Sequence, residues 1–161
     1  MSELAKKLIE ESLRTKHPLL DLGNCGLDGT EPILERLGEC DHLEVLSFSD
    51  TYSIRDEKTR EWESRKSNNQ GDKNLLVCLP AKLPPNLLAF FAFGEFDNHW
   101  KIRDIEPITL IHNLIWLDID YNQITDLKPL EKCNQLTNLY LQENQISDIK
   151  PLEKCNQLTN L

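Results

Sequence analysis

Residues 133–154 read Cys-Asn-Gln-Leu-Thr-Asn-Leu-Tyr-Leu-Gln-Glu-Asn-Gln-Ile-Ser-Asp-Ile-Lys-Pro-Leu-Glu-Lys. Residues 111–132 read Ile-His-Asn-Leu-Ile-Trp-Leu-Asp-Ile-Asp-Tyr-Asn-Gln-Ile-Thr-Asp-Leu-Lys-Pro-Leu-Glu-Lys. The period is 22, and a further copy begins at Cys155. Both copies satisfy Leu-x-x-Leu-x-Leu-x-x-Asn-x-Leu, with Ile allowed at the apolar positions. In a short strand alternate side chains face opposite ways, so Leu117 with Ile119, and Leu139 with Leu141, point inward together with Leu114 and Leu136. Asn122 and Asn144 stand where the chain turns inward, and a buried amide there can satisfy turn backbone that is costly to bury unpaired. Ile124, Leu127, Ile146 and Ile149 fill the core behind the strand. Asp126 and Asp148 are placed to cap a short helical turn that Pro129 and Pro151 suit, and the brief return predicts a 3₁₀ or extended connection.

Working upstream, the pattern loosens but can be followed. His17–Leu27 fits with Cys25 at the Asn position, and Leu43-Glu-Val-Leu46-Ser-Phe48 supplies the next strand. Between them, residues 31–39 are long enough for an α-helix with Thr30 as its cap. Leu88-Ala-Phe-Phe91-Ala-Phe93 reads as a third strand, although Leu87, Phe90 and Ala92 fit equally well one residue away. Ser2–Lys16 is expected to be a helix with Leu4, Leu8, Ile9 and Leu13 near one face, covering the end of the core. The division expected is therefore a capping helix over 1–16 and a solenoid of five to six coils over 17–161. Residues 55–74, six basic and five acidic with the single large apolar Trp62, read as a polar insertion. It is expected on the outer side, partly helical and mobile around Ser67–Asp72. A shorter excursion falls at 96–101.

Asn-Gln-Ile-Thr-Asp-Leu-Lys-Pro-Leu at 122–130 and Asn-Gln-Ile-Ser-Asp-Ile-Lys-Pro-Leu at 144–152 resemble the 22-residue class of leucine-rich repeats of internalins and bacterial Roco proteins. The resemblance is specific over about 102–161 and weaker over 17–100. It implies an α/β right-handed solenoid with a concave parallel sheet, a convex side of 3₁₀ or short helices, and a protein ligand. Internalins are exported, and no signal sequence is read here. Roco proteins carry a GTPase domain after their repeats, and no such motif is present.

Composition narrows the function classes. Eighteen Lys and Arg face 27 Asp and Glu, giving a formal charge of −9, which disfavours nucleic acid and anionic membrane as partners. Five cysteines without a Cys-x-x-Cys pair indicate neither a disulfide framework nor zinc, so a reducing cytoplasm is expected. Cys133 and Cys155 lie one coil apart, where a disulfide is conceivable and free thiols are the expectation. No nucleotide-binding, metalloprotease or serine-hydrolase motif occurs, so no catalytic residue, cofactor or metal is expected. Cys40-Asp41-His42 and the Glu95, Asp97, His99 group are read as a turn and a solvated loop. The functional candidates are concave-face residues between the inward positions: Phe90, Trp116, Asp118, Asp120, Asn138, Tyr140 and Gln142. Exposed aromatics beside carboxylates suit a basic protein or peptide, although Trp116 could instead simply pack within the ladder on Phe90 and Asn138. Two rival readings are a regulatory region of a larger protein such as a Roco-like GTPase, and a scaffold that self-associates. Because the last repeat begins without a polar cap, further coils or a second copy are expected over it.

Overall fold

The computed structural model describes residues 2–161. The chain runs through α1 (Glu3–Thr15), β1 (Leu19–Asp21), β2 (Val45–Ser47), β3 (Thr51–Arg55), β4 (Trp62–Lys66), β5 (Ala89–Phe91), β6 (Trp116–Asp118) and β7 (Asn138–Tyr140). Strands β1, β2, β5, β6 and β7 form one parallel sheet in that order, each from one coil of a solenoid. The register equates Leu20, Leu46, Phe90, Leu117 and Leu139, one inward side chain per coil. All five are buried, as are Leu114, Ile119 and Leu136. An isolated bridge from Asn138 to Asn160 opens a sixth coil.

Four of the connections behind the sheet carry 3₁₀ helices, at Pro32–Glu39, Glu106–Leu110, Lys128–Lys132 and Lys150–Lys154, while the one over 75–88 is extended and irregular. The last three begin where an aspartate two residues back accepts from the first helical amide: Asp104 from Glu106, Asp126 from Lys128, Asp148 from Lys150. Residues 31–39 differ from the expected α-helix. The segment stays 3₁₀, and Thr30 does not cap it. The Thr30 N–H and hydroxyl both donate to Asp28, while the Glu31 carboxylate accepts from the amides of Asp28 and Gly29. Helix α1 is capped by Ser2 and ends at Lys16 in the left-handed conformation. Its Ala5 and Ile9 join the core beside the first coil, with Leu4, Leu8 and Leu13 partly buried around them.

The tight turn after each regular strand has a fixed construction. Asn24, Tyr121 and Glu143, each just before the Asn or Cys position, take positive φ of 51°, 54° and 52°. Asn144 then donates its amide to the carbonyls of Ile119 and Leu141 and accepts from the Ile124 N–H, tying two coils together. In the second coil this turn is split open. Asn74 occupies the amide position, 26 residues beyond the inward Phe48 instead of three. It nevertheless makes the full set of bonds: Nδ2 donates to Leu22 and Phe48 carbonyls at 2.8 and 2.7 Å, and Oδ1 accepts from Cys25 and Leu27 amides at 3.1 and 2.8 Å. The third coil is interrupted at the same point. Seven residues follow Ala92, and the buried Trp100 stands where the Asn would be. A Cβ on Gly94 would come within 2.9 Å of three backbone atoms, so the excursion closes on a residue with no side chain.

The insertion is thus an excursion over 49–73, and it lies on the opposite side of the sheet from that expected. Its β3 and β4 form an antiparallel hairpin, with Tyr52 opposite Arg65 and Arg55 opposite Trp62. Tyr52, Ile54 and Trp62 pack with Leu19, Val45, Ala89, Phe91, Phe93 and Trp116 on the concave face. A segment leaving the end of a strand can fold back over the sheet, and these apolar residues gain burial by doing so. Nor is Ser67–Asp72 detached. Asn69 donates to the carbonyls of Asp21 and Gly23, Ser67 N–H to Asp50, and Gly26 N–H to Asp72.

Along the last coil exposure climbs. Leu127 is 1% exposed and its equivalent one coil on, Ile149, is 63% exposed. The same template position is buried only where the next coil covers it. Asn74→Ala leaves four buried backbone groups without partners, and should lower unfolding free energy by about 3 kcal/mol or more. Asn144→Ala, in a partly exposed turn, should cost about half as much. Urea denaturation of both variants checks the order.

Candidate functional site

The candidate surface is the concave sheet with the hairpin seated on it. Trp116 is its centre. The Trp62 indole meets it edge-on with centroids 4.9 Å apart, Tyr140 stacks on it at 5.7 Å, and Phe91 lies at 6.0 Å. Trp116 is accordingly half-buried, and its Nε1 is buried with no hydrogen-bond partner. The Arg55 guanidinium lies 5.9 Å over the Trp62 ring and donates through Nε to the Arg60 carbonyl.

The other expected residues divide. Phe90 is not on this face: it is fully buried in the core, edge-on to Phe48 at 6.2 Å. The third strand takes the register in which Leu87, Phe90 and Ala92 point inward, which matches the spacing of Leu114, Leu117 and Ile119. Ala89 and Phe91 therefore face the hairpin, and both Phe rings are covered. Asn138 is on the face but only 7% exposed, and its side-chain carbonyl accepts from the Thr137 hydroxyl. Asp118, Asp120 and Tyr140 are half-buried, and Gln142 is exposed. The Gln142 N–H donates to the Asp120 carboxylate, and the Asp120 N–H donates to Asp118 at 3.3 Å. Burial against the aromatic rows, then the neighbouring Asp120 carboxylate, pushes the Asp118 carboxyl up to about 8. Burial raises Asp120 as well, against the opposing Gln142 N–H.

Sequence reasoning missed Tyr52 and Ile54. The signal available was the alternation Tyr52-Ser-Ile54 leading into the polar run, with Trp62 as its one large apolar side chain. The remaining clusters are structural. His42 Nε2 lies 3.0 Å from the Ser12 hydroxyl, joining the second coil to α1. Burial raises the Cys40 thiol, the opposite of what a nucleophilic thiolate requires. His99 packs edge-on to Tyr121, and Glu95 pairs with Lys73. Cys133 and Cys155 are buried free thiols, and burial pushes the first up to about 11.

A parallel sheet built one strand per coil, with an amide at the turn and 3₁₀ returns, defines a class of solenoid. The family model for leucine-rich repeats (two copies) matches residues 112–154, so these coils are leucine-rich repeats and the fold is the leucine-rich-repeat solenoid. Internalin C2 of Listeria monocytogenes is similar over 79% of this chain and 55% of its own, at 23% identity and a TM-score of 0.50. Internalin F of the same organism is similar over 80% and 36%, at 25% identity and a TM-score of 0.43. A chain of the Drosophila melanogaster SNF/U2A′ complex is similar over 95% and 79%, at 20% identity and a TM-score of 0.50. This chain therefore spans about half the length of internalin C2 and about a third of internalin F. No curated protein sequence matches it. No helix among the described residues is long and apolar enough to cross a membrane.

Because the folded protein holds the Asp118 proton more tightly than the unfolded chain does, this group favours folding most below its ordinary value of 3.8. That contribution is lost as pH rises toward about 8. Asp118→Asn should leave the melting temperature near wild type at about pH 4 and raise it by several degrees at about pH 9. Thermal melts across that range check the sign.

Proposed function

We propose that this chain binds a basic protein or peptide along the part of its concave sheet that the hairpin leaves open. Leucine-rich-repeat solenoids commonly serve as protein-interaction modules, since their stacked strands make one continuous, stiff surface. One observation carries the choice of place. The hairpin covers the first three strands through Tyr52, Ile54 and Trp62 and reaches Trp116 at the start of the fourth, while Asp118, Asp120, Tyr140 and Gln142 lie beyond it with solvent access.

The chemistry of that strip suits a cation. Tyr140 offers a fixed aromatic face, and neither Asp118 nor Asp120 has a cationic partner within ion-pair distance among the described residues. A Lys or Arg from the ligand would supply the missing charge and displace the Asp118 proton. Affinity should then rise with pH toward about 8, the region in which the free Asp118 titrates. Trp116, held between Trp62 and Tyr140, supports the surface and does not project into the ligand. The absence of catalytic motifs accords with a binding role, and a reducing cytoplasm suits five free thiols.

The test is affinity capture from native lysate on immobilised protein, followed by titration of the recovered partner. Asp118→Asn/Asp120→Asn should slow association and weaken affinity about tenfold. Tyr140→Ala should speed dissociation. Unchanged binding by both variants would remove the ligand from this strip.

A further inference from the structure

The hairpin does not close onto the sheet along its whole length. It makes contact through Tyr52, Ile54 and Trp62, and beside that contact a groove of about 200 Å³ remains along the starts of the strands. Its floor is Pro18, Leu19, Val45, Leu88 and Ile115, contributed by four successive coils, and Ile54 and Trp62 of the hairpin form its wall. We infer that this groove receives one large apolar side chain from a peptide whose flanking residues are Lys or Arg. This site is separate from the Asp118–Gln142 strip, and the inference does not depend on it.

Three observations identify the occupant. The first is size. The groove is smaller than the roughly 300–1,000 Å³ of sites that enclose a cofactor or drug-sized ligand, and suits a single aliphatic or aromatic group. The second is the state of the backbone at its floor. Pro18 accepts from the amides of Glu44 and Val45, Glu44 from those of Leu88 and Ala89, and Leu88 from those of Ile115 and Trp116. With those groups already paired, the floor offers apolar contact and not the addition of a strand. The third is charge. Glu44 and Glu57 stand on the rim, exposed, with no cation in ion-pair distance among the described residues. The one rim guanidinium, Arg55, is turned onto the Trp62 ring and the Arg60 carbonyl. An apolar anchor between basic residues matches both the floor and the rim.

The peptide Lys-Lys-Phe-Lys-Lys, blocked at both ends, is the probe, titrated into the whole chain while amide and indole resonances are followed by NMR. Shifts are expected at Leu19, Val45, Ile54, Leu88 and Ile115 and at the Trp62 indole. Lys-Lys-Ser-Lys-Lys and Glu-Glu-Phe-Glu-Glu should each bind about tenfold more weakly or worse. The surface variant Glu44→Lys/Glu57→Lys should weaken the Phe peptide, followed at the Leu19, Val45 and Trp62 resonances, about fivefold to tenfold. Absence of binding, equal binding of the Ser peptide, or insensitivity to the rim variant would overturn the groove as the site. Shifts confined to Asp118–Gln142 would overturn it too, while favouring the strip.

Discussion

The fold depends on satisfying backbone polar groups at the inner end of each strand. Each coil turns there through the interior, and in the second and fifth coils a side-chain amide supplies donors and an acceptor that water would otherwise provide. Asn74 shows this most fully, with two carbonyls and two amides from the first two coils gathered around one side chain. Asn144 repeats it between the fourth and fifth coils. Once the turn is held in this way, the strands meet in register and the inward Leu, Ile and Phe side chains stack behind them.

That same junction is where the solenoid admits additional chain. In the second and third coils the residues before the amide position leave the usual left-handed turn and are replaced by excursions, yet Asn74 and Trp100 still return to a buried place. An insertion at this point starts from the concave edge of the sheet. If it carries apolar side chains, the exposed strand rows are the nearest surface on which to bury them. Tyr52, Ile54 and Trp62 do so, and the result is a sheet with one half roofed and one half open.

Two different surfaces follow from that division. On the open half, the two carboxylates of the fourth coil stand beside aromatic rings, and partial burial raises Asp118 and Asp120 because water no longer solvates their charge fully. At the roofed half, incomplete contact leaves an apolar groove rimmed by carboxylates. Both present carboxylates without cationic partners among the described residues, in keeping with a chain of formal charge −9: one along a polar row, the other at the rim of a hole of limited size.

Periodicity alone determined the solenoid. A 22-residue spacing of Leu, Asn and Pro records which side chains face inward, since each coil meets the same neighbours; hence Leu117, Leu139, Asn144 and the 3₁₀ returns were legible residue by residue. Where repeats are irregular, that redundancy vanishes. Phe90 and Phe91 satisfy the template equally well, and only the match with Leu46 and Leu117 across the sheet decided that Phe90 is core. The 31–39 segment likewise had helical composition, but the short span between adjacent coils held it to a 3₁₀ helix. Of the candidate site, the concave placement of Trp116, Asp118, Asp120, Tyr140 and Gln142 follows from the repeat spacing. The partial burial of Trp116 under the hairpin does not, because Tyr52, Ile54 and Trp62 are distant in sequence and their polar neighbours suggest a solvated loop. Where a polar segment lies is set by the few apolar side chains within it and by the nearest surface that can bury them, and only the tertiary structure brings that surface into view.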